Sequence, residues 1–96
     1  MPQPTRPAYR VEFTEAAAAV RDTLPEQRKA QLARGIRVLA RDPYTKHSAP
    51  IGPDDYSRKA MVAESLLIEY GVLEGVMIVI VVSILDDMQF IADDED

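Results

Sequence analysis

Apolar and polar residues alternate at the start of the chain and then change to a helical spacing. Residues 9–13 read YRVEF, in which apolar and charged side chains take turns, the period of a half-buried strand. Thr14 follows with a hydroxyl suited to a helix N-cap, and the next residues are rich in alanine, the strongest helix former. The pattern therefore predicts a first strand and then a short helix over residues 15–22.

A second helix is indicated by its start, its apolar stripe and its end. Thr23 and Glu26 have the spacing of a capping box, and the proline between them is tolerated in a first turn. Asp42 and Pro43 end the helical pattern. The apolar stripe at helical spacing consists of Leu32, Ile36 and Leu39. We expect the two helices to form a hairpin.

The second half of the chain has the period and composition of β-structure. Residues 44–56 contain two prolines and a glycine and are expected to form a loop. Short apolar runs at residues 59–62, 66–70 and 76–85 follow, separated by short turns, which predicts an antiparallel meander. The last run is apolar nearly throughout and is expected to be a central strand. The predicted order is β-α-α-β-β-β, an α+β fold.

Length and hydropathy favour one domain without a membrane span. Ninety-six residues suffice for a single core. We expect residues 1–8, with three prolines, to be a disordered leader, residues 9–85 to form the domain, and residues 86–96 to be an acidic tail. The apolar run at 76–85 is about half of the roughly 20 residues that a spanning helix needs. A soluble, cytoplasmic protein is predicted.

Charge is divided unevenly along the chain. Residues 1–59 carry all eleven lysines and arginines against seven acids, whereas residues 60–96 carry nine acids and no base. The predicted sheet is therefore short of the cations that phosphate binding needs, and binding to DNA alone is not expected. The chain has no cysteine and one histidine, His47, so no metal site and no cofactor are predicted.

The element order and several residues resemble the RelE/ParE superfamily of toxins from bacterial type II toxin–antitoxin modules. The matching features are YRVEF at 9–13, RVLARDP at 37–43, Gly52, Tyr70 and the apolar strand at 76–85. The resemblance implies a four-stranded antiparallel sheet with the helical hairpin packed on one face. It also implies an antitoxin peptide as a partner.

RelE-type members cut messenger RNA on the ribosome, without a metal, by attack of a ribose 2′-hydroxyl on the neighbouring phosphate. This reaction needs a general base, cations for the phosphorane charge and an acid for the leaving oxygen. Arg58 and Lys59 match the family's basic residues on the second strand of the predicted β-α-α-β-β-β order. His47 is a candidate substitute acid, because its ordinary pKa lies near neutrality. The plainer interpretation is that all three are surface residues.

Two other parts of the family's cleavage set have no counterpart here. The third-strand arginine falls on Leu66 or Leu67, and the position of a C-terminal basic residue is taken by Asp86 and Asp87. Two carboxylates at that place would repel an RNA phosphate. Cleavage of mRNA is therefore predicted to be weak or lost.

Two surfaces remain for binding. Basic residues near the end of the second helix are candidates for contact with ribosomal RNA phosphates, although such residues are more often a solvated face. They are Arg37, Arg41 and Lys46.

Apolar residues of the meander are candidates for a partner surface, because an uncovered apolar patch usually marks an interface. They are Met61, Leu66, Leu67, Met77 and Ile84.

Three functional hypotheses follow from the residues and the resemblance. The first is a RelE/ParE-like toxin-family protein that acts mainly through protein–protein binding, with an antitoxin peptide or a second copy of the chain as partner. The second is a weak ribosome-dependent mRNA endoribonuclease. The third is a ParE-type gyrase inhibitor, which acts by binding its target and needs no RNA-cleaving residues.

Overall fold

The computed structural model describes residues 8–86. Two helices and five strands follow one another, with a single 3-10 turn at Glu74–Val76 between the last two strands. In chain order they are β1 (Arg10–Phe13), α1 (Glu15–Thr23), α2 (Glu26–Arg41), β2 (Ser48–Pro50), β3 (Ser57–Ala63), β4 (Leu66–Leu73) and β5 (Ile78–Asp86). The predicted leader, except for Ala8, and the predicted tail after Asp86 lie outside the described residues.

The five strands form one mixed sheet in the order β1-β5-β4-β3-β2. The predicted meander of β3, β4 and β5 is confirmed, and β5 lies inside the sheet as its apolar sequence indicated. The expected four-stranded antiparallel sheet was wrong in two respects. Ser48–Pro50, within the predicted loop, pairs with the start of β3, and β1 pairs with β5 in parallel. Pro50 is compatible with pairing because β2 is an edge strand.

Both helices begin after an extended residue, but only α1 has a side-chain cap. The Thr14 hydroxyl accepts a hydrogen bond from the Ala17 amide at 3.2 Å, as predicted. The predicted capping box was wrong, because Thr23 is the last residue of α1 and donates its hydroxyl to the carbonyl of Val20 at 2.8 Å. Pro25 stands at the N-cap of α2 without a side-chain hydrogen bond.

The core lies between the helices and one face of the sheet. Leu32 and Leu39 of α2 are buried, and Ile36 packs against the same cluster, which confirms the predicted stripe. The fully buried residues of the sheet are Leu66, Ile68, Tyr70, Val79 and Val81. The Tyr70 hydroxyl donates to the carbonyl of Pro43 at 2.6 Å, which ties the middle of the sheet to the end of α2.

A bulge in β5 changes which residues face the helices near the end of the strand. Tyr70 is paired with Val81 and Glu69 with Ser83, so Val82 has no partner in β4 and is exposed. The extra residue reverses the alternation beyond it. Asp86 therefore points to the helix side of the sheet rather than to its outer surface.

Candidate functional site

The open face, which we define as the sheet surface directed away from α1 and α2, carries an apolar row at one end. Met61 of β3, Leu67 of β4 and Leu85 of β5 are direct partners across the three strands. Met61 and Leu85 are exposed, and Leu67 is half-buried between them. Three neighbouring strands thus present large apolar side chains to solvent.

The next row of the open face carries charge of both signs. Lys59 lies directly opposite Glu69, which lies opposite Ser83. Opposite charges at paired positions attract each other, although these two side chains form no direct ion pair. On β1, the Arg10 guanidinium binds the carboxylate of Glu12 at 2.7 Å. Among the described residues, the open face has no cluster of free cations.

Arg58 is buried on the opposite side of the sheet from Lys59. Its guanidinium donates to the Ser48 hydroxyl at 3.0 Å and to the carbonyl of Asp55 at 3.2 Å. The same group lies over the ring of Tyr44, 5.2 Å from its centre. Only 7% of Arg58 is exposed. These contacts hold β2 and the preceding loop on β3, and they occupy the guanidinium.

His47 is exposed immediately before β2. It lies neither on the open face with Lys59 nor in the buried environment of Arg58. It lines a cavity of about 150 Å³ between α2 and β3, together with Val38, Met61 and Val62. A second cavity, lined by arginines of α2, adjoins it. We call the two cavities together the α2–β3 groove. The three predicted catalytic residues are therefore not brought together: Arg58 is buried on the helix side, Lys59 is on the open face, and His47 is in the groove.

The basic part of the α2–β3 groove is a cavity of about 430 Å³ along the last turns of α2. Arg37 and Arg41, predicted to contact RNA, both line it, whereas Lys46 is exposed in the following turn. Arg34 lines it too, and its spacing from Arg37 and Arg41 on one helix could have revealed this. The remaining lining residues are Val38, Asp42 and Thr45, and two of them, Val38 and Thr45, also line the apolar part.

The predicted partner surface needs correction. Leu66 and Ile84 are 0% and 7% exposed because both point into the helix-side core, and they are not part of an outer surface. Met61 and Leu67 belong to the open face. Met77 is half-buried in a left-handed conformation, φ 54°, just before β5. Exposed apolar residues of β4 and β5 that the sequence did not reveal as surface are Leu73, Val82 and Leu85.

Asp86, expected to repel phosphate, is instead paired with a cation. The Arg28 guanidinium binds its carboxylate at 2.9 Å, with the two side chains 12% and 5% exposed. Arg28 also donates to the carbonyl of Glu64 at 2.8 Å and to the side-chain oxygen of Gln31 at 2.7 Å. This ion pair joins the first turns of α2 to the end of β5. Asp86 is thus a structural residue in the described part of the chain.

Aromatic hydroxyls and one carboxylate meet at the other end of the sheet. The Tyr9 hydroxyl donates to the carboxylate of Glu74 at 2.7 Å. Burial, together with the nearby Glu74 carboxylate, raises the pKa of Tyr44 to about 12. Tyr44 is therefore a neutral phenol at physiological pH and cannot serve as a general base there.

Neither a metal centre nor a membrane span is found within residues 8–86. No group of three or more metal-ligating side chains lies close together in that range. Neither helix described there has the length and apolar character needed to cross a bilayer.

Comparison with solved structures identifies the fold. The isolated Escherichia coli RelE toxin matches with a TM-score of 0.72 and 18% identity, over 90% of this chain and 96% of that one. RelBE2, a toxin–antitoxin complex from Mycobacterium tuberculosis, gives 0.71 and 18%, over 82% and 98%. A YoeB/ParE toxin from Agrobacterium tumefaciens gives 0.64 and 14%, over 80% and 96%. No protein-family profile and no curated protein sequence matches the chain.

The chain therefore has the fold of the RelE/ParE toxins, as the resemblance in its sequence implied. At identities of 14–18% the similarity concerns the architecture alone. In this chain Arg58, Lys59 and His47 lie on three different surfaces, and Arg34, Arg37 and Arg41 line one basic cavity.

Proposed function

We propose that this chain is a RelE/ParE toxin-family protein of a toxin–antitoxin type module, and that it acts mainly through protein–protein binding. In this proposal its mRNA cleavage is weak or lost. The observation that carries the proposal is the separation of Arg58, Lys59 and His47 onto three different surfaces. A general base, a cation and an acid must reach the same phosphate at once, and these three side chains do not surround a common point.

The experiment is expression of the chain without a partner, followed by primer-extension mapping of ribosome-bound transcripts. We expect no new 5′ ends beyond those of an empty-vector control. Lys59→Ala and His47→Ala serve as matched variants, because both side chains are exposed and their removal leaves the fold intact. Strong new 5′ ends that disappear in either variant would overturn the proposal.

Protein binding is supported by the apolar row on the open face. Met61, Leu67 and Leu85 form a continuous apolar strip across three strands, and uncovered strips of this kind mark interaction surfaces. The structural neighbours include a RelE–RelB complex from Pyrococcus horikoshii, so an antitoxin-type peptide is the partner we propose. Such an interface should bury at least about 1,000 Å² in total.

Sedimentation over a range of concentrations, with and without a candidate antitoxin, tests this surface. We expect complex formation by the natural chain and its loss in Met61→Asp with Leu85→Asp. The matched control is Leu73→Asp, an equally apolar exposed residue away from the apolar row. Self-association abolished by the same double change would favour a second copy of the chain as the partner. Binding that is unaffected by the double change would refute this surface.

A second candidate function is a weak ribosome-dependent mRNA endoribonuclease. It is supported by Arg34, Arg37 and Arg41, which line one cavity and are suited to ribosomal RNA phosphates, with His47 in the adjoining cavity. The primer-extension experiment distinguishes the two candidates directly, because only the endoribonuclease produces new 5′ ends.

A further inference from the structure

β1 is an edge strand whose outer side faces no other strand within residues 8–86. It stands last in the order of the sheet and pairs only with β5 in that range. The amides of Arg10 and Thr14 donate towards β5, to carbonyls at 2.9 and 3.0 Å. Backbone groups of alternate residues in a strand point the same way, so those of Val11 and Phe13 point away from β5. We call this outer side the β1 edge.

The β1 edge is short but suited to one more strand. Sheet edges with unpaired backbone groups accept an added strand unless proline, lysine or a bulge prevents it, and β1 has none of these. The side chains of Val11 and Phe13 pack against the core, whereas Arg10 and Glu12 are exposed on the open face. The Tyr9 amide donates to a carbonyl in the last turn of α2 at 2.8 Å, so the edge available to a partner begins after Tyr9.

The two charged residues make the β1 edge complementary to a second copy of itself. An antiparallel pair of β1 strands centred on Val11 places Arg10 of each copy opposite Glu12 of the other. Opposite charges at paired positions attract each other. A pair centred on Glu12 would oppose two carboxylates, and one centred on Arg10 would oppose two guanidinium groups. Charge therefore selects the register centred on Val11.

This register requires little rearrangement of the chain. The Arg10 and Glu12 side chains are 71% and 48% exposed, and they form an ion pair with each other at 2.7 Å. An exposed ion pair contributes little to stability, so its exchange for a pair across the two copies costs little. The Val11 residues of the two copies then donate their amides to each other's carbonyls, as directly opposed residues do in an antiparallel ladder.

We infer that two copies of this chain pair through the β1 edge, antiparallel and centred on Val11, so that the five strands of each copy join in one continuous sheet. The two-fold axis is perpendicular to the sheet, and both pairs of helices lie on one side of it. Both apolar rows stay uncovered on the other side, so the dimer is independent of the partner proposed for that surface. Contact between two four-residue strands is short, of the class below about 1,200 Å² that associates transiently.

Charge reversal tests the register in the full chain. Arg10→Glu alone and Glu12→Arg alone each place like charges opposite each other, and each should weaken self-association about tenfold in sedimentation equilibrium at high protein concentration. An equimolar mixture of the two variants should restore the natural affinity, because every pair in the mixed dimer again joins opposite charges. Glu12→Arg makes the acidic chain less negative, so its weaker association would exclude an effect of overall repulsion alone.

The matched controls carry similar changes away from β1. Lys59→Glu and Glu69→Lys alter exposed residues of β3 and β4, and they should leave association unchanged, alone or mixed. Met61→Asp with Leu85→Asp, which disrupts the apolar row, should also leave it unchanged. A natural chain that stays monomeric would overturn the inference. So would a dimer that is lost in the apolar-row variant and insensitive to residues 10 and 12.

The absence of cysteine from the sequence allows a disulfide to report which residues face each other. Arg10→Cys and Glu12→Cys chains, mixed and oxidised, should form mainly the mixed disulfide, because directly opposed Cβ atoms are about 4.5–5.5 Å apart. Identical positions of the two copies are diagonal, about 7–8 Å apart, and should link poorly. Mass spectrometry distinguishes the three products, and their formation in the proportions of random collision would refute the register. Protection of the Val11 amide from hydrogen exchange only after addition of an antitoxin-type peptide would assign the edge to that peptide and overturn the inference.

Discussion

Gly35 of α2 lies directly against Val62 of β3. A Cβ atom built on Gly35 would be 2.4 Å from the Cβ of Val62, well inside van der Waals contact. The absence of a side chain at this one position allows the helix to pack closely on the strand that borders the α2–β3 groove.

Gly35→Ala should lower the free energy of unfolding by about 1–3 kcal/mol, because the overpacking cost exceeds the gain of about 1 kcal/mol in helix propensity. Chemical denaturation measures the change. Gly52→Ala is the matched control, since nothing lies within 4 Å of its new methyl group. Val62→Ala should relieve part of the loss in the double variant. A Gly35→Ala variant more stable than the natural chain would contradict this packing.

Arg58 and Lys59 are neighbours in sequence, and their substitutions should have very different effects. Arg58→Ala removes two hydrogen bonds and the contact with Tyr44, and should lower the free energy of unfolding by about 1–3 kcal/mol. Lys59→Ala should change it by no more than about 0.5 kcal/mol. Thermal and chemical denaturation of both variants measure the difference. Equal stabilities would mean that Arg58 has no structural role.

The Arg28–Asp86 ion pair should be costly to break from one side. Asp86→Asn leaves a buried guanidinium without its carboxylate, and we expect a loss of about 3–5 kcal/mol in the free energy of unfolding. Arg28→Met combined with Asp86→Leu should be less destabilising than the single change, because no uncompensated charge remains. Arg28→Met and Asp86→Leu are also measured singly. A double variant at least as destabilised as the sum of these two single variants would contradict this coupling.

Tyr44 should give the protein a specific sensitivity to alkaline pH. Its pKa is about 12 in the folded chain, raised by burial and by Glu74 from the ordinary value of 10.0. Between these values the unfolded chain loses the phenolic proton first, so the stabilising contribution is complete below pH 10 and declines as pH rises towards 12.

Ultraviolet difference titration of tyrosinate, natural chain against Tyr44→Phe, isolates this group. Glu74→Gln should lower the Tyr44 pKa only in part, because burial is the larger cause. A Tyr44 that titrates at its ordinary value in the folded chain would refute the assignment.

Most elements were predictable from the sequence because their signals are local. The alternation at residues 9–13, the Thr14 cap and the apolar run of β5 each depend on neighbours along the chain, and the structure has all three elements. The pairing of β2 was missed, because a three-residue strand with a proline has almost no periodicity and depends on Arg58 and Ser48 for its position.

The candidate site was harder to predict because it depends on which face each residue takes. Neighbours in a strand such as Arg58 and Lys59 must lie on opposite sides of the sheet, but the alternation does not show which one is buried. The bulge at Val82 reverses the alternation in β5, so the inward direction of Ile84 and Asp86 could not be read from their spacing. Nor does a sequence indicate that Arg28 and Asp86, far apart along the chain, form an ion pair.

The parallel pairing of β1 with β5 constrains the order in which the protein assembles during synthesis. Among the elements of residues 8–86, β1 is the first to be synthesised, but its partner in the sheet, β5, is the last. The hairpin of helices and the β3–β4 hairpin can form from local contacts, whereas β1 has to wait until nearly the whole domain has been made. Until β5 emerges, β1 has no partner in the sheet, and a strand from a neighbouring nascent chain could bind to it in place of β5.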